Sequence, residues 1–415
     1  MTYGETTQWL FNQLPMFQRQ GAAAYKVDLM GTWRVLDMLG RPDLALHNVI
    51  HVAGTNGKGS VCTAIAHSLT EQGFKVGLFT SPHLEDFRER MRVNGSMPPE
   101  QWVVDFVAKH VSIVESQTDR PSFFEWTFGM ALSWFAESQV DFVVLETGMG
   151  GRLDSTNVFE KPLLAVITNV GYDHQQFLGN DIRSIAAEKA GIIKEGVPVV
   201  LGRMRPEAQS VMLQVANQRG AETHYSAAAD LSDMERVGPH WPENRATAHK
   251  ALEVLSEVYR ERKLQVPPVH ALSKAEHLGR WQWISIQNDH RKALLDCAHN
   301  VDGIQSTLKA VESIPKDRLH IVFGTVADKN LDEVFAHLPK HATYHFCAAQ
   351  IPRALAAGKT LEIAREVGMD GFAYATVCEA FNAAAEEAGE NDLVLVIGSI
   401  FVAAEVLQCA RNRAQ

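Results

Sequence analysis

The 415-residue chain is 46% hydrophobic and 21% charged, and 39 Lys and Arg against 49 Asp and Glu leave a formal net charge of -10. This is a soluble globular composition, and at about 150 residues per domain it predicts two domains, each able to bury its own core. The acidic balance excludes a general nucleic-acid binder, and no run of about 18 apolar residues is present to cross a membrane. The start, Met1 to Leu10, has neither the basic end nor the apolar stretch of a signal peptide. Cys62, Cys297, Cys347, Cys378 and Cys409 show no zinc or thioredoxin spacing. Reduced, mostly structural thiols in a cytoplasmic protein are the expectation.

In chain order, the first predicted strand is Val49 to Ala53. A predicted helix follows at Ser60 to Gln72, with Val61, Ile65 and Leu69 on one face and Gly73 at its end. Further strands are expected at Val76 to Thr80, Phe142 to Glu146, Leu163 to Thr168 and Val197 to Leu201. Short β-branched runs spaced by helices predict a parallel α/β sheet. Leu264 to Leu278, with Pro267 and Pro268, carries little periodicity and reads as a linker. The same alternation resumes with strands at Ala293 to Asp296, Ile321 to Phe323, Tyr344 to Cys347 and Leu393 to Ile397, and a helix at Leu331 to Leu338. The predicted domains are therefore 1–274 and 275–415.

Gly54-Thr55-Asn56-Gly57-Lys58-Gly59-Ser60 lies between the first strand and its helix. Glycines let backbone N–H groups approach phosphate oxygens, the helix terminus adds positive dipole, and Lys58 supplies a point charge. The spacing departs from the usual P-loop, because Gly57 follows Gly54 by three residues and Gly59 separates Lys58 from Ser60. Glu146 closes the third strand and precedes a glycine-rich turn, Gly148 to Asp154, while Asp173 and His174 follow the fourth. Such a carboxylate can hold magnesium, which prefers oxygen ligands, although a strand-end Glu also serves as a helix cap and a lone His as a surface residue. Gly54, Ser81, Glu146 and His174 all fall at or just past the carboxyl ends of predicted parallel strands, where open α/β sheets bind ligands.

Taken together, these segments resemble the folylpolyglutamate synthase and dihydrofolate synthase group of Mur-type ATP-dependent amide ligases. The resemblance spans almost the whole chain. It rests on Gly54 to Ser60, Thr80-Ser81-Pro82-His83-Leu84 with Glu89 to Arg92, Phe123-Phe124-Glu125, Glu146 to Asn157, Asp173-His174, Glu188 to Ile192, Asn244 with Ala246 to Ala248, Gly279-Arg280, and Asp296 to Asn300. It implies a P-loop-containing, mostly parallel sheet domain with helices on both faces, followed by a smaller Rossmann-like α/β domain. The implied reaction phosphorylates a carboxylate with ATP, and the amine of L-glutamate then attacks the acyl phosphate, releasing ADP and phosphate. The acid would be dihydropteroate, a reduced folate or both, and the chain a monomer.

By the same resemblance, Gly54, Thr55, Asn56, Gly57, Lys58, Gly59 and Ser60 hold the triphosphate, and Asn244, Arg280, Asp296 and His299 contact ATP. Ser81, Glu146 and His174 ligate magnesium, with Ser60 as a further ligand. Lys189 matches a lysine that is carbamylated to hold a second magnesium, and composition alone makes it a solvated helix lysine. Lys58, Lys189 and His174 are the catalytic candidates. Asp28-Leu29-Met30-Gly31, Ser122-Phe123-Phe124 and Arg152-Leu153-Asp154 are the candidates for the pterin-bearing substrate; Phe123 and Phe124 equally suit an apolar core. Two departures stand out: Met30-Gly31-Thr32 replaces the commoner Gly-Leu-Glu, and Leu278-Gly279-Arg280-Trp281 replaces Pro-Gly-Arg-Phe.

Cys297 beside His299 has no oxyanion motif to support a thiol nucleophile, and Trp281 with Trp283 reads as packing along a strand. Arg88, Arg90 and Arg92 read either as a steering cluster for anionic substrate or as an exposed charged turn. Two competing functions are a P-loop switch without ligation and a ligase acting on a cell-wall precursor. The guanine-reading Asn-Lys-x-Asp pattern is missing, and a switch leaves the second domain unexplained.

Overall fold

The computed structural model describes residues 1–16, 28–228, 238–274, 278–286, 292–327, 329 and 331–414. They fall into two compact units, Met1–Asp230 with Trp241–Glu276, and Leu231–His240 with His277–Gln415. Among the described residues no helix is long and apolar enough to cross a membrane.

The first unit is built on seven strands: β1 (Val49–Ala53), β2 (Val76–Phe79), β3 (Met91–Val93), β4 (Phe142–Glu146), β5 (Leu164–Ile167), β6 (Val199–Leu201) and β7 (Thr223–Tyr225). Their order is β3-β2-β4-β1-β5-β6-β7, with β3 antiparallel to β2 and all other neighbours parallel. Successive strand residues point to opposite faces. Ile50, Val52, Phe142, Val144, Leu164, Val166 and Val200 pack on one side with the helices Lys58–Glu71 and Trp241–Val258. Val49, Val143 and Leu145 turn the other way, toward Phe123–Glu137 and Tyr3–Gln13, while Ala165, Ile167, Val199 and Leu201 meet Ile182–Ala190 and Pro206–Gln218. Burial on both faces is why these strands read as continuous apolar runs. The segment that reads as a linker is anchored to this core by buried Leu264 and Leu272.

The second unit carries β8 (Gln282–Ser285), β9 (Lys292–Leu295), β10 (Leu319–Phe323), β11 (Thr343–Phe346), β12 (Gly371–Ala373) and β13 (Leu393–Ile397). The order is β12-β11-β10-β13-β9-β8, parallel except for β8 against β9. One cysteine expectation is corrected here. Cys378 and Cys409 are paired in a disulfide between the helices Val377–Glu387 and Ile400–Ala414, whose packing sets their Cα atoms 5.9 Å apart, while Cys62, Cys297 and Cys347 are free and buried. A separation of 31 residues hides that proximity from any spacing rule.

Candidate active site

The sheet order β2-β4-β1-β5 places four strand exits side by side. Ser81 follows β2, Glu146 ends β4, Gly54 follows β1, and Asn169 to His174 follow β5. The chain leaves β1 toward one side of the sheet, whereas β5 to β7 lie on the other, so this is the switch point where α/β folds bind ligands.

Gly57 caps the helix Lys58–Glu71 with φ 83°, and Lys58, its first residue, folds back so that Nζ donates to the carbonyls of Gly54 and Thr55 at 3.2 Å each. The loop is pinned by the β5 exit. Asn169 accepts from the Asn56 N–H through its side chain (2.9 Å), Thr168 donates to the Asn56 carbonyl (2.6 Å), and the Thr55 hydroxyl donates to the Gly171 carbonyl (3.1 Å) and accepts from the Gly171 N–H (3.0 Å). Thr168, which ends the fourth predicted strand, and Asn169, which follows it, are not among the sequence candidates. Ser60 is buried on the helix.

Asn244, buried on the helix Trp241–Val258, reaches the same loop: a Cβ at Gly57 would lie 2.0 Å from its Oδ1. Gly57→Ala is therefore expected to weaken ATP binding at least ~10-fold and to cost about 1–2 kcal/mol of stability from its left-handed φ. Nucleotide titration and urea melts check both; unchanged ATP affinity would remove Asn244 and Gly57 from the binding surface.

Lys189 is not a solvated helix lysine. It is 3% exposed, and its Nζ donates to the Gly54 carbonyl at 2.9 Å, so two ammonium groups share one phosphate-loop oxygen. Burial first, and then the charge of Lys58, push its pKa down to about 7, against the opposing pull of Asp173 and Asp154. The glycine-rich turn holds its helix in place: the Arg152 N–H donates to the Glu188 carbonyl, its guanidinium pairs with the Glu188 carboxylate at 2.7 Å, and Asn157 donates to the Gly191 carbonyl. Asp154 is buried inside that turn, where burial raises its pKa, and accepts from the Met149 N–H and from the N–H and hydroxyl of Thr156. Thr156 in turn meets His51 Nε2 at 2.8 Å, and burial holds the His51 imidazole neutral, its pKa lowered to about 3. His51 lies within an apolar strand, so sequence gave no sign of this buried pair.

Glu146 is 5% exposed and accepts from the Ser81 N–H at 2.9 Å, which brings two of the metal candidates together. His174 adopts φ 51° at the start of the helix Gln175–Leu178, its N–H donating to Asp173. An exposed charged turn is not what Arg88 to Arg92 form. Arg90 is 2% exposed, lies 5.2 Å from the Phe123 ring centre and donates to His83 Nδ1, while Arg88 pairs with Asp86 at 2.8 Å.

Among the substrate candidates, the Ser122 hydroxyl caps the helix Phe123–Glu137, and Phe123 is core, packed on Phe11 and Phe87. Phe124 is half-buried, and its ring lies 2.6 Å from where a Gly148 Cβ would be. Gly31 approaches Glu125 so closely that a Cβ would sit 1.9 Å from its carboxylate, while Asp28 and Met30 are exposed. Asp28 to Gly31 thus meets the Ser122 to Glu125 stretch, and Phe124 meets the Gly148 turn; Leu153 is half-buried in that turn.

Within the second unit, Asp296 is buried and accepts from the N–H groups of Trp281 and Ala298 at 2.9 Å each. Arg280 is exposed, and His299 is half-buried with Nδ1 on the Cys297 carbonyl. Burial pushes the Cys297 thiol up to about 12, which opposes a nucleophilic role.

Residues 52–240 match the family model described as Mur ligase middle domain, and residues 279–400 that of the Mur ligase glutamate ligase domain. The chain is 32% identical over 436 residues to the dihydrofolate synthase/folylpolyglutamate synthase of Bacillus subtilis, covering 97% of this chain and 98% of that one. It superposes on Escherichia coli FolC in complex with DHPP and ADP with a TM-score of 0.81, at 28% identity and covering 100% and 99% of the two chains. A bifunctional folylpolyglutamate synthase/dihydrofolate synthase with Mn, AMPPNP and L-glutamate bound gives the same TM-score at 26% identity, covering 99% and 98%. With these likenesses spanning both units, the chain belongs to the dihydrofolate synthase/folylpolyglutamate synthase family of Mur-type ATP-dependent amide ligases.

Proposed function

We propose that this chain, as a cytoplasmic monomer, joins L-glutamate to dihydropteroate, to a reduced folate, or to both, through an acyl phosphate made with ATP. The observation that carries the reading is the pair of ammonium groups, Lys58 and Lys189, on the single Gly54 carbonyl. Two lysine Nζ atoms held that close make the loop electropositive whenever Lys189 is protonated, and a triphosphate is an anion that suits it.

Ser81, Glu146 and His174, with Ser60, are the residues that would hold magnesium, since they offer oxygens and one imidazole, and the Ser81 N–H on the Glu146 carboxylate supports the nearness of two of them. When bound, the ion neutralises charge on the transferring phosphoryl group. Lys58 directs its charge at the phosphates, and the loop N–H groups orient them. Lys189 supports a further step, since an amine with a pKa of about 7 is partly neutral at physiological pH. Its Nζ can then add to carbon dioxide, releasing one proton and leaving a carbamate anion suited to a second magnesium. On the substrate side, Phe124, Gly31 and the Arg152 to Asp154 turn are the candidate contacts for the flat pterin, while Ser122 caps and Phe123 anchors the helix that carries Phe124.

The deciding experiment is phosphate release with magnesium and ATP, adding L-glutamate and either dihydropteroate or a reduced folate monoglutamate, followed by mass analysis of products. Turnover with dihydropteroate alone defines a dedicated dihydrofolate synthase, and turnover with both acids a bifunctional enzyme. Phosphate release without dependence on L-glutamate overturns the reading.

A further inference from the structure

The second unit holds a cluster of ligand-type side chains unrelated to the nucleotide residues. His320, on β10, and His345, on β11, lie diagonally on one face of the sheet, since His320 pairs with Thr343 and Val322 with His345. The opposite face carries Ile321, Phe323, Tyr344 and Phe346 in the core, so both imidazoles point away from it, on the side where the helix Val377–Glu387 packs. Both residues are fully buried, and their ring centres are 5.8 Å apart. Glu387, the last residue of that helix, brings Oε2 within 3.7 Å of His345 Nε2, while its side chain stays 41% exposed. Among the described residues, His320, His345 and Glu387 are the one set of three His, Cys, Asp or Glu whose ligand atoms all lie within 4.8 Å of one another.

The hydrogen bonding is asymmetric in an informative way. His320 Nε2 meets Asp392 Oδ2 at 3.3 Å, and Asp392 is itself held by Arg318 at 2.8 Å. His345 Nδ1 meets the Tyr374 hydroxyl at 3.3 Å. The other nitrogens, His320 Nδ1 and His345 Nε2, are buried without a hydrogen-bond partner. Buried polar atoms are rarely left so. A metal-binding histidine shows this same division, with one nitrogen oriented by a carboxylate or hydroxyl and the other turned to the ion. Burial also lowers the His345 pKa to about 4, which keeps that ring neutral and able to ligate at physiological pH.

We propose that His320 Nδ1, His345 Nε2 and the Glu387 carboxylate bind a divalent transition cation of the zinc class. Two imidazoles and one carboxylate favour such an ion over magnesium, and the exposed edge at Glu387 gives it an entry path. Ligand atoms around a tetrahedral zinc stand about 3.4 Å apart, so the 3.7 Å pair needs almost no adjustment and the remainder a side-chain rotation. His320 is the second residue of β10, toward its amino end, whereas Asp296 follows the carboxyl end of β9 in the same parallel set of strands.

The test is titration of the full chain with cobalt(II), read by its visible absorption, and with zinc by calorimetry, both without nucleotide. The expected result is a cobalt spectrum with nitrogen ligation that excess zinc abolishes and millimolar magnesium leaves unchanged. Glu387→Gln, at an exposed helix end, is expected to weaken binding at least 10-fold with an unchanged melt, and His345→Gln to abolish it. No cobalt binding by the parent chain, displacement by magnesium, or equal binding in Glu387→Gln overturns the proposal. The last outcome places the ion elsewhere, and it is readable even where His345→Gln fails to fold.

Discussion

Glu146→Ala is expected to lower the ligation rate by at least ~10³ while leaving a cooperative fold, because it removes the carboxylate that ends β4 beside the Ser81 loop. The loss splits into two measurable parts. Glu146 is buried and accepts from the Ser81 N–H at 2.9 Å, so alanine leaves a buried donor unmet and costs about 1–3 kcal/mol in a urea melt. Glu146→Gln keeps an acceptor for that N–H but removes the anion. The glutamine variant is therefore expected to melt close to the parent chain yet to turn over as slowly as the alanine variant. If glutamine restored activity along with stability, Glu146 would be a positioning residue for the Ser81 loop, and the magnesium assignment would fail.

The parts of the fold legible in the sequence are those where burial on both faces forces a continuous apolar run. β1, β4 and β13 match their predicted residues from end to end, and β2, β5 and β6 differ by one or two at their ends. Strands with little to bury were invisible: β3 is three residues long with Arg92 at its centre, and β12 is exposed over most of its length. The site shows the same division. Gly54 to Ser60, Ser81 and Glu146 carry their chemistry in residue type and in position after a strand. Lys189 carries none, since only the fold reveals that its helix face is buried against the phosphate loop. Thr168, Asn169 and Asn244 act through contacts across 112 to 187 residues of chain, a distance over which local pattern says nothing. The disulfide and the His320, His345 and Glu387 cluster were missed for the same reason, being products of tertiary packing alone.

Lys189→Met is expected to abolish ligation and, in buffer free of carbon dioxide, to stabilise the fold. The parent lysine has an ordinary pKa of 10.5 when unfolded and about 7 when folded. Burial disfavours the charged form, so the unfolded chain binds more protons between these values and stability rises with pH across that window. The destabilisation is complete below pH 7, shrinks as pH rises, and is gone above about 10.5. At pH 7 it is on the order of 3–5 kcal/mol, larger than the roughly 1 kcal/mol contributed by the Lys189 hydrogen bond to Gly54. Methionine has similar length and no charge, so the variant should melt higher than the parent at pH 7, with the gap narrowing toward pH 10. Labelled bicarbonate provides an independent readout: a carbamate carbon resonance in the parent chain should be missing from the variant. A variant that melts lower than the parent at pH 7 would mean that the ammonium is not held against its burial, and retained ligation would remove Lys189 from the active site. The expected pairing of greater stability with lost turnover follows from the placement of Lys189, whose protonated form is disfavoured by burial and by Lys58 on the same Gly54 oxygen, while the neutral amine is the form that can carry a carbamate.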